Sequence, residues 1–253
     1  METVLEAKRL SKSYGKKQEI EVLRNIDLKI KKGEFLVIMG KSGSGKSTLL
    51  YNISGMDRAT SGDVIINNQS LFSLSDDKIS KFRLENMGFV FQHAHLLKMM
   101  TIKENIMIPA LKLNKKPYKE IVGTVEDLLE RVEIQSIQDN DITQVSGGQL
   151  QRAAICRALI NQPDIIFGDE PTGALNSKAS DEVMNLFKEI NDKGITVVLV
   201  THDTKVASRA DRVVYLLDGC IESEYTFDKY SGDNQTLKGR EEQIIDWLST
   251  KAF

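Results

Sequence analysis

The chain reads as an α/β protein carrying an inserted helical block. Short apolar runs, Phe35-Leu36-Val37-Ile38-Met39, Ile165-Ile166-Phe167 and Thr196-Val197-Val198-Leu199-Val200, have the length and branching of buried strands. Helical patterns alternate with such runs, which predicts a parallel sheet covered by helices. From about residue 93 to 160 the strand signals lapse, and Ile121, Val125, Leu128, Leu129 and Val132 recur at helical spacing.

Residues 1–33 read as short strands with turns, with a turn expected at Tyr14-Gly15-Lys16-Lys17. The run at 35–39 is bounded by Gly33 and Gly40, and a helix is expected from Lys46 to Ser54. Val64-Ile65-Ile66 is a strand closed by the turn residues Asn67-Asn68, and Phe89-Val90-Phe91 is another. A helix from about Lys178 to Asn191 lies between the strands at 165–167 and 196–200. A further strand is expected over Arg212-Val213-Val214-Tyr215-Leu216-Leu217.

With 253 residues the chain has length for one domain or two closely joined subdomains. Its formal net charge of -2 gives no overall attraction to nucleic acid or an anionic membrane. Cys156 and Cys220 form no CxxC pair and read as reduced, structural thiols. Neither a signal peptide nor an apolar stretch of roughly 18 residues is present, so the expected location is cytoplasmic.

Gly40-Lys41-Ser42-Gly43-Ser44-Gly45-Lys46-Ser47 matches the phosphate-loop pattern G-x-x-x-x-G-K-[ST], between a predicted strand and a predicted helix. Glycines let successive N–H groups turn inward around an anion, and the helix start adds positive potential. Lys46 would reach the β- and γ-phosphates of ATP, and Ser47 would offer a hydroxyl to Mg²⁺. Thr48 belongs with the same nucleotide-binding set. Asp169 and Glu170 end an apolar strand. Beside a phosphate loop, Asp169 suits Mg²⁺ and Glu170 suits a general base for the attacking water.

Val145-Ser146-Gly147-Gly148-Gln149 resembles the LSGGQ signature of ATP-binding cassette (ABC) ATPases, with Val145 in place of Leu. Other family motifs stand in order. Tyr14 resembles the aromatic that stacks on adenine, Gln92 the Q-loop glutamine, Leu175-Asn176 the D-loop, and His202 the switch histidine. The resemblance covers roughly residues 3–223. It implies a P-loop NTPase of ABC type: a mixed sheet core, an N-terminal antiparallel β-subdomain and a helical subdomain at about 93–160. Residues 1–223 would form the ATPase domain and 224–253 a helical C-terminal extension. It further implies ATP hydrolysis with Glu170, His202 and Gln92 as catalytic residues, and Mg²⁺ held by Ser47, Gln92 and Asp169. A head-to-tail dimer is implied, in which Ser146, Gly147, Gly148 and Gln149 of one copy close over the ATP of the other. Asn176 departs from the family's usual Asp, so slower turnover or altered cross-site coupling is an expectation.

Within the family, Gln92-His93-Ala94-His95-Leu96-Leu97 and Asp169 to Leu175 resemble the lipoprotein-release, macrolide-export and bacitracin- or lantibiotic-resistance branch. Ala174 and the tail beyond Gly219 lean toward antimicrobial-peptide resistance. The implied partners are a membrane permease and a second copy of the chain, without nucleic acid, on the inner face of the membrane. Leu96, Leu97, Met99 and Met100 are expected as an exposed apolar contact for the permease, unless two of them pack the subdomain junction. His93 and His95 lack further metal ligands and read as partner-facing loop residues. In the tail, Leu237, Glu241, Ile244, Ile245 and Leu248 fall near one helical face, with Trp247 alongside. The alternatives are a soluble translation or repair ABC protein, usually double-cassette or coiled-coil, and a regulatory module with little hydrolysis, which Asn176 would favour.

Overall fold

The computed structural model describes residues 2–15, 19–228 and 234–251. It divides into two compact units, Met1–Leu74 with Asn191–Phe253, and Ser75–Ile190.

The first unit opens with β1 (Thr3–Tyr14) and β2 (Ile20–Lys31), paired antiparallel. Each has 12 residues, so the short strands expected here are one long hairpin. Register shifts interrupt the pairing, and Arg9 and Asn25 sit at positive φ inside the strands. Such bulges slip the two-residue alternation and hide strand length from the sequence. Lys16 and Lys17, half of the turn expected at 14–17, lie outside the described residues. The fully buried β3 (Phe35–Met39) follows, then α1 (Lys46–Ile53). Next, β4 (Ser61–Ile66) pairs with β1 and turns through Asn67 and Asn68, at φ 49° and 64°, into the short β5 (Gln69–Ser70). Asparagine tolerates this left-handed geometry.

In the second unit, α2 (Asp76–Asn86), which has no counterpart in the sequence reading, leads into β6 (Met87–Phe91). Its sequence is strongly polar and buries only Ile79, so it lacks a clear apolar stripe. Three helices follow: α3 (Ile102–Leu113), α4 (Tyr118–Arg131) and α5 (Gly147–Leu159). Ile121, Val125, Leu128, Leu129 and Val132 are all buried, as their spacing required. Gly88 of β6 lets α5 approach: a β-carbon there would stand 2.6 Å from the Ala158 carbonyl oxygen. Then β7 (Ile165–Asp169) pairs parallel with β6, and α6 (Ser177–Asp192) carries the chain back to the first unit.

There, β8 (Thr196–Val200) and β9 (Arg212–Leu217) flank β3 as parallel neighbours, separated in sequence by the short α7 (Thr204–Ala207). β10 (Cys220–Thr226) pairs antiparallel with β9, which makes the sheet mixed. Finally, α8 (Asn234–Ser249) buries Arg240 and Ile244, with Trp247 packed against Tyr215 and Tyr225. Ile245, placed by its spacing on the same face, is 50% exposed. Cys156 is buried, which pushes its thiol up to about 12, whereas Cys220 is exposed rather than structural. Among the described residues, no helix is long and apolar enough to cross a membrane.

Glu34 and Arg212 lock β3 to β9. Arg212 Nε donates to Glu34 Oε1 at 2.6 Å, and Glu34 Oε2 accepts from the Lys31 amide at 2.7 Å. Arg212 also reaches Glu224 Oε2 at 2.8 Å, so removing Glu34 costs its two charge-assisted hydrogen bonds without leaving the guanidinium unpaired. Glu34→Ala is expected to lower unfolding free energy by about 2 kcal/mol, measured by denaturant titration.

Candidate functional site

The loop Gly40–Ser47 joins β3 to α1, and its shape is imposed by close packing. A β-carbon at Gly40 would stand 2.2 Å from the Leu216 carbonyl oxygen, and one at Gly45 2.9 Å from that of Val22. Gly45 caps α1 in the left-handed region, at φ 99°, with no side-chain hydrogen bond to the first turn. Glycine offers the helix start no side-chain acceptor, and the positive end of α1 opens onto the loop. Lys46 Nζ donates to the carbonyls of Gly40 and Lys41, each at 2.8 Å, which curls its ammonium over the loop. Ser44 Oγ is buried with no hydrogen-bond partner. A buried hydroxyl left so costs about 1–3 kcal/mol, and a phosphate oxygen in the loop would relieve it. Lys41, Ser42 and Gly43 form the exposed rim, and Ser47 and Thr48 are half-buried on α1.

Tyr14 stands at the end of β1 in the same unit, 44% exposed. Its hydroxyl donates to Asp57 Oδ2 at 2.6 Å. Burial and the Asp57 carboxylate push the phenol up to about 12, against a hydrogen bond from Thr48 that acts the other way. Burial also raises the Asp57 carboxyl, but hydrogen bonds from Lys12 and Tyr14 outweigh it and leave its pKa below the ordinary carboxylate value. His202 follows β8 and is exposed. Its neighbours fix the turn: Thr201 Oγ1 accepts from the Asp203 amide at 3.1 Å, and Asp203 Oδ1 accepts from that of Lys205 at 2.8 Å.

In the second unit, Asp169 ends β7 and Glu170 follows at φ 47°. A left-handed glutamate is strained, and such strain concentrates at functional positions. The Gly173 amide donates to the Glu170 carbonyl at 3.0 Å. A β-carbon at Gly173 would meet Gln92 Nε2 at 3.1 Å, so Gln92 lies against the turn that follows Glu170. Gln92 is held there because Gln151 Nε2 donates to the Phe91 carbonyl at 2.9 Å.

The segment 145–149 starts α5. Ser146 and Gln149 form a capping box: Ser146 Oγ accepts from the Gln149 amide, and Gln149 Oε1 accepts from the Ser146 amide. The Gln149 side chain, read from sequence as nucleotide-binding, thus faces its own backbone. Ser146, Gly147, Gly148, Arg152, Leu175 and Asn176 help to line a cavity of about 350 Å³. Asn176 Oδ1 accepts from the Ala179 amide at 2.9 Å and so caps α6. Asn and Asp serve that position about equally, so the departure at 176 leaves the local fold intact.

The loop after Gln92 is held from α3 and α5 by residues that sequence reasoning missed. Asn105 is fully buried and accepts from the Leu97 amide at 2.6 Å while donating to the carbonyls of Leu97, Met100 and Thr101. Arg157 donates to the carbonyls of Ala94 and His95, both at 2.7 Å. The cue for Asn105 was a polar residue on an apolar helical stripe beside Ile102 and Ile106. Asp57 and Lys12 had no cue, because they meet Tyr14 only through the fold. Of the four apolar residues expected on this loop's surface, Leu97 and Met99 are exposed, at 52% and 98%, Met100 is half-buried, and Leu96 is buried. Asn105 and Arg157 draw the loop inward and bury Leu96.

By chemical type, the Ser47 hydroxyl in the first unit, and the Asp169 carboxylate and Gln92 amide in the second, are each hard oxygen donors of the kind Mg²⁺ takes. Among the described residues no group of three or more His, Cys, Asp or Glu side chains forms a metal cage.

The ABC transporter family model matches residues 23–173. The chain is 41% identical to the bacitracin export ATP-binding protein of Halalkalibacterium halodurans, covering 89% of this chain and 93% of that one. It is 42% identical to a lipoprotein-releasing system ATP-binding protein of Rhodopseudomonas palustris, covering 87% and 99%. Its fold superposes on an ATP-binding cassette of Methanocaldococcus jannaschii, solved as a dimer in a post-hydrolysis state bound to ADP and Pi. That likeness has a TM-score of 0.83 and 40% identity, over 89% of this chain and all of the other. A phosphate loop at α1, a signature at α5 and these likenesses together place the chain in the ABC transporter family, as an ATP-binding ATPase domain.

Proposed function

We propose that this chain is the ATP-hydrolysing subunit of a membrane ABC transporter or mechanotransmission complex for antimicrobial-peptide resistance or export. It works as a head-to-tail pair of copies, peripheral on the cytoplasmic face and driving a permease. The observation that carries the pairing is the second helix start. α5 opens on Ser146-Gly147-Gly148 beside its own cavity, although the chain already has one anion site at α1. A second copy's triphosphate is the natural occupant. The 41% identity to a bacitracin export protein over 89% of the chain supports the substrate class. The comparable identity to a lipoprotein-releasing protein keeps lipoprotein release or macrolide-type efflux as the second reading. Residues 1–223 form the ATPase domain in this proposal, with a helical subdomain at about 93–160 and an extension from 224.

The loop amides of Gly40 to Ser47, with Lys46, hold the triphosphate, and Thr48 supports the loop from α1. Tyr14 carries the base. Glu170 accepts the proton of the attacking water. His202 steadies the γ-phosphate, and Gln92 links the state of the site to the loop that follows it. Mg²⁺, held by Ser47, Asp169 and Gln92, supplies charge neutralisation on the β- and γ-phosphates when bound. Ser146, Gly147 and Gly148 close over the facing nucleotide, with Gln149 fixing their helix start. Exposed Leu97 and Met99 offer the permease an adaptable apolar contact.

Three outcomes test this reading. Lys46→Ala should weaken ATP binding about 100-fold by calorimetry; normal affinity refutes the role of the loop. Glu170→Gln should slow phosphate release by about 10²- to 10⁴-fold, keep ATP affinity and trap a dimer visible by light scattering. Unchanged turnover removes Glu170 from the chemistry. Detergent pull-down from native membranes should recover an integral membrane permease, and Leu97→Asp with Met99→Asp should reduce that recovery. Recovery of ribosomes or DNA instead would overturn the membrane assignment.

A further inference from the structure

The phenol of Tyr14 is tied into a charged cluster that the nucleotide motifs do not include. Tyr14 ends β1, next to Gly15 at φ 99°, where a strand end alone would leave its ring free to swing. Asp57 Oδ2 accepts from the Tyr14 hydroxyl at 2.6 Å, and Asp57 Oδ1 accepts from Lys12 Nζ at 2.8 Å. Lys12 Nζ also donates to the Arg58 carbonyl at 2.7 Å and lies 4.7 Å from the Tyr14 ring centroid. Lys12 is buried, whereas the ring remains 44% exposed. One ring face is therefore covered by an ammonium while the ring as a whole stays open.

The cluster is fastened to the helix that begins at the phosphate loop. The Asp57 amide donates to the Tyr51 carbonyl of α1 at 3.0 Å. The ring position is thereby referred to the same helix whose start faces the triphosphate. An ammonium on one face draws on the negative potential of the ring and makes the opposite face less electron-rich. That face is better suited to an electron-rich purine, since stacking follows the ring's quadrupole.

We propose that Asp57 and Lys12 are positioning residues for purine recognition, which hold the Tyr14 ring at a set distance from the phosphate loop with one face presented to the base. This rests on the reading of Tyr14 as the base platform. Asp57 acts by fixing the hydroxyl, and Lys12 acts by closing the rear face and anchoring Asp57. The carboxylate and ammonium neutralise each other, so the triad adds little net charge beside the nucleotide.

The test compares ATP with inorganic tripolyphosphate, which has the phosphates without the base. Calorimetry in EDTA on the full chain gives the ratio of the two affinities. Tyr14→Ala should reduce that preference about 10-fold. Asp57→Ala and Lys12→Met should each reduce it about 3-fold, with tripolyphosphate affinity unchanged. Tyr14→Phe keeps the ring but loses the tether, so adding Asp57→Ala to it should reduce the preference by less than Asp57→Ala does alone. If Tyr14→Ala lowers the preference while Asp57→Ala and Lys12→Met match the parent, the positioning proposal falls and base stacking stands. If Tyr14→Ala leaves the preference unchanged, the platform reading itself is wrong. Loss of tripolyphosphate affinity in both Asp57→Ala and Lys12→Met would show that the cluster supports the loop rather than the ring, and would also overturn the proposal.

Discussion

A helix start exposes amide N–H groups that no intrahelical carbonyl can reach, and this protein treats two such starts in opposite ways. At α1 the cap is a left-handed glycine that contributes no side-chain acceptor, and the buried Ser44 hydroxyl nearby has no partner. At α5 the capping box of Ser146 and Gln149 satisfies the start from within. The first leaves a buried hydroxyl unsatisfied. The second is already stable and presents its glycines beside a cavity. The loop before α1, with the unpartnered Ser44 hydroxyl, is the incomplete half, and the start of α5 is the complete one.

The incomplete half needs a rigid frame, because an unsatisfied group can be kept only where the surroundings allow no relaxation. Here the frame is the fully buried β3 with β8 and β9 on either side, and the Glu34–Arg212 pair at its edge. The carbonyls of Leu216 and Val22 press so close to Gly40 and Gly45 that neither position admits a side chain. Glycine at these positions answers to packing as much as to backbone freedom.

Legibility from sequence followed the locality of the physics. β3, β8 and β9 were readable to the residue, because a buried parallel strand is a continuous apolar run bounded by turn residues. The helix starts after Gly45 and Ser146 were readable because backbone chemistry fixes the spacing of their glycine-rich segments. The hairpin β1–β2 was hidden by its bulges, α2 by its polarity, and the exposed, alternating β10 by its likeness to a loop. Within the site, the long-range partners were invisible. Asp57 lies 43 residues from the tyrosine it binds, and Arg157 lies 62 from the carbonyl of His95. Asn176 looked like a lost charge and is a helix cap, a distinction that only the Ala179 amide reveals.

The loop after Gln92 separates shape from surface. Asn105 and Arg157 reach only its backbone, through carbonyls and an amide that every residue type carries. The side chains of Leu97 and Met99 contribute nothing to that scaffold and point away from it. Such a loop can exchange its outward residues without losing its path. Substitution at those two positions would change what the loop presents to its surroundings and leave the backbone beneath it unaltered.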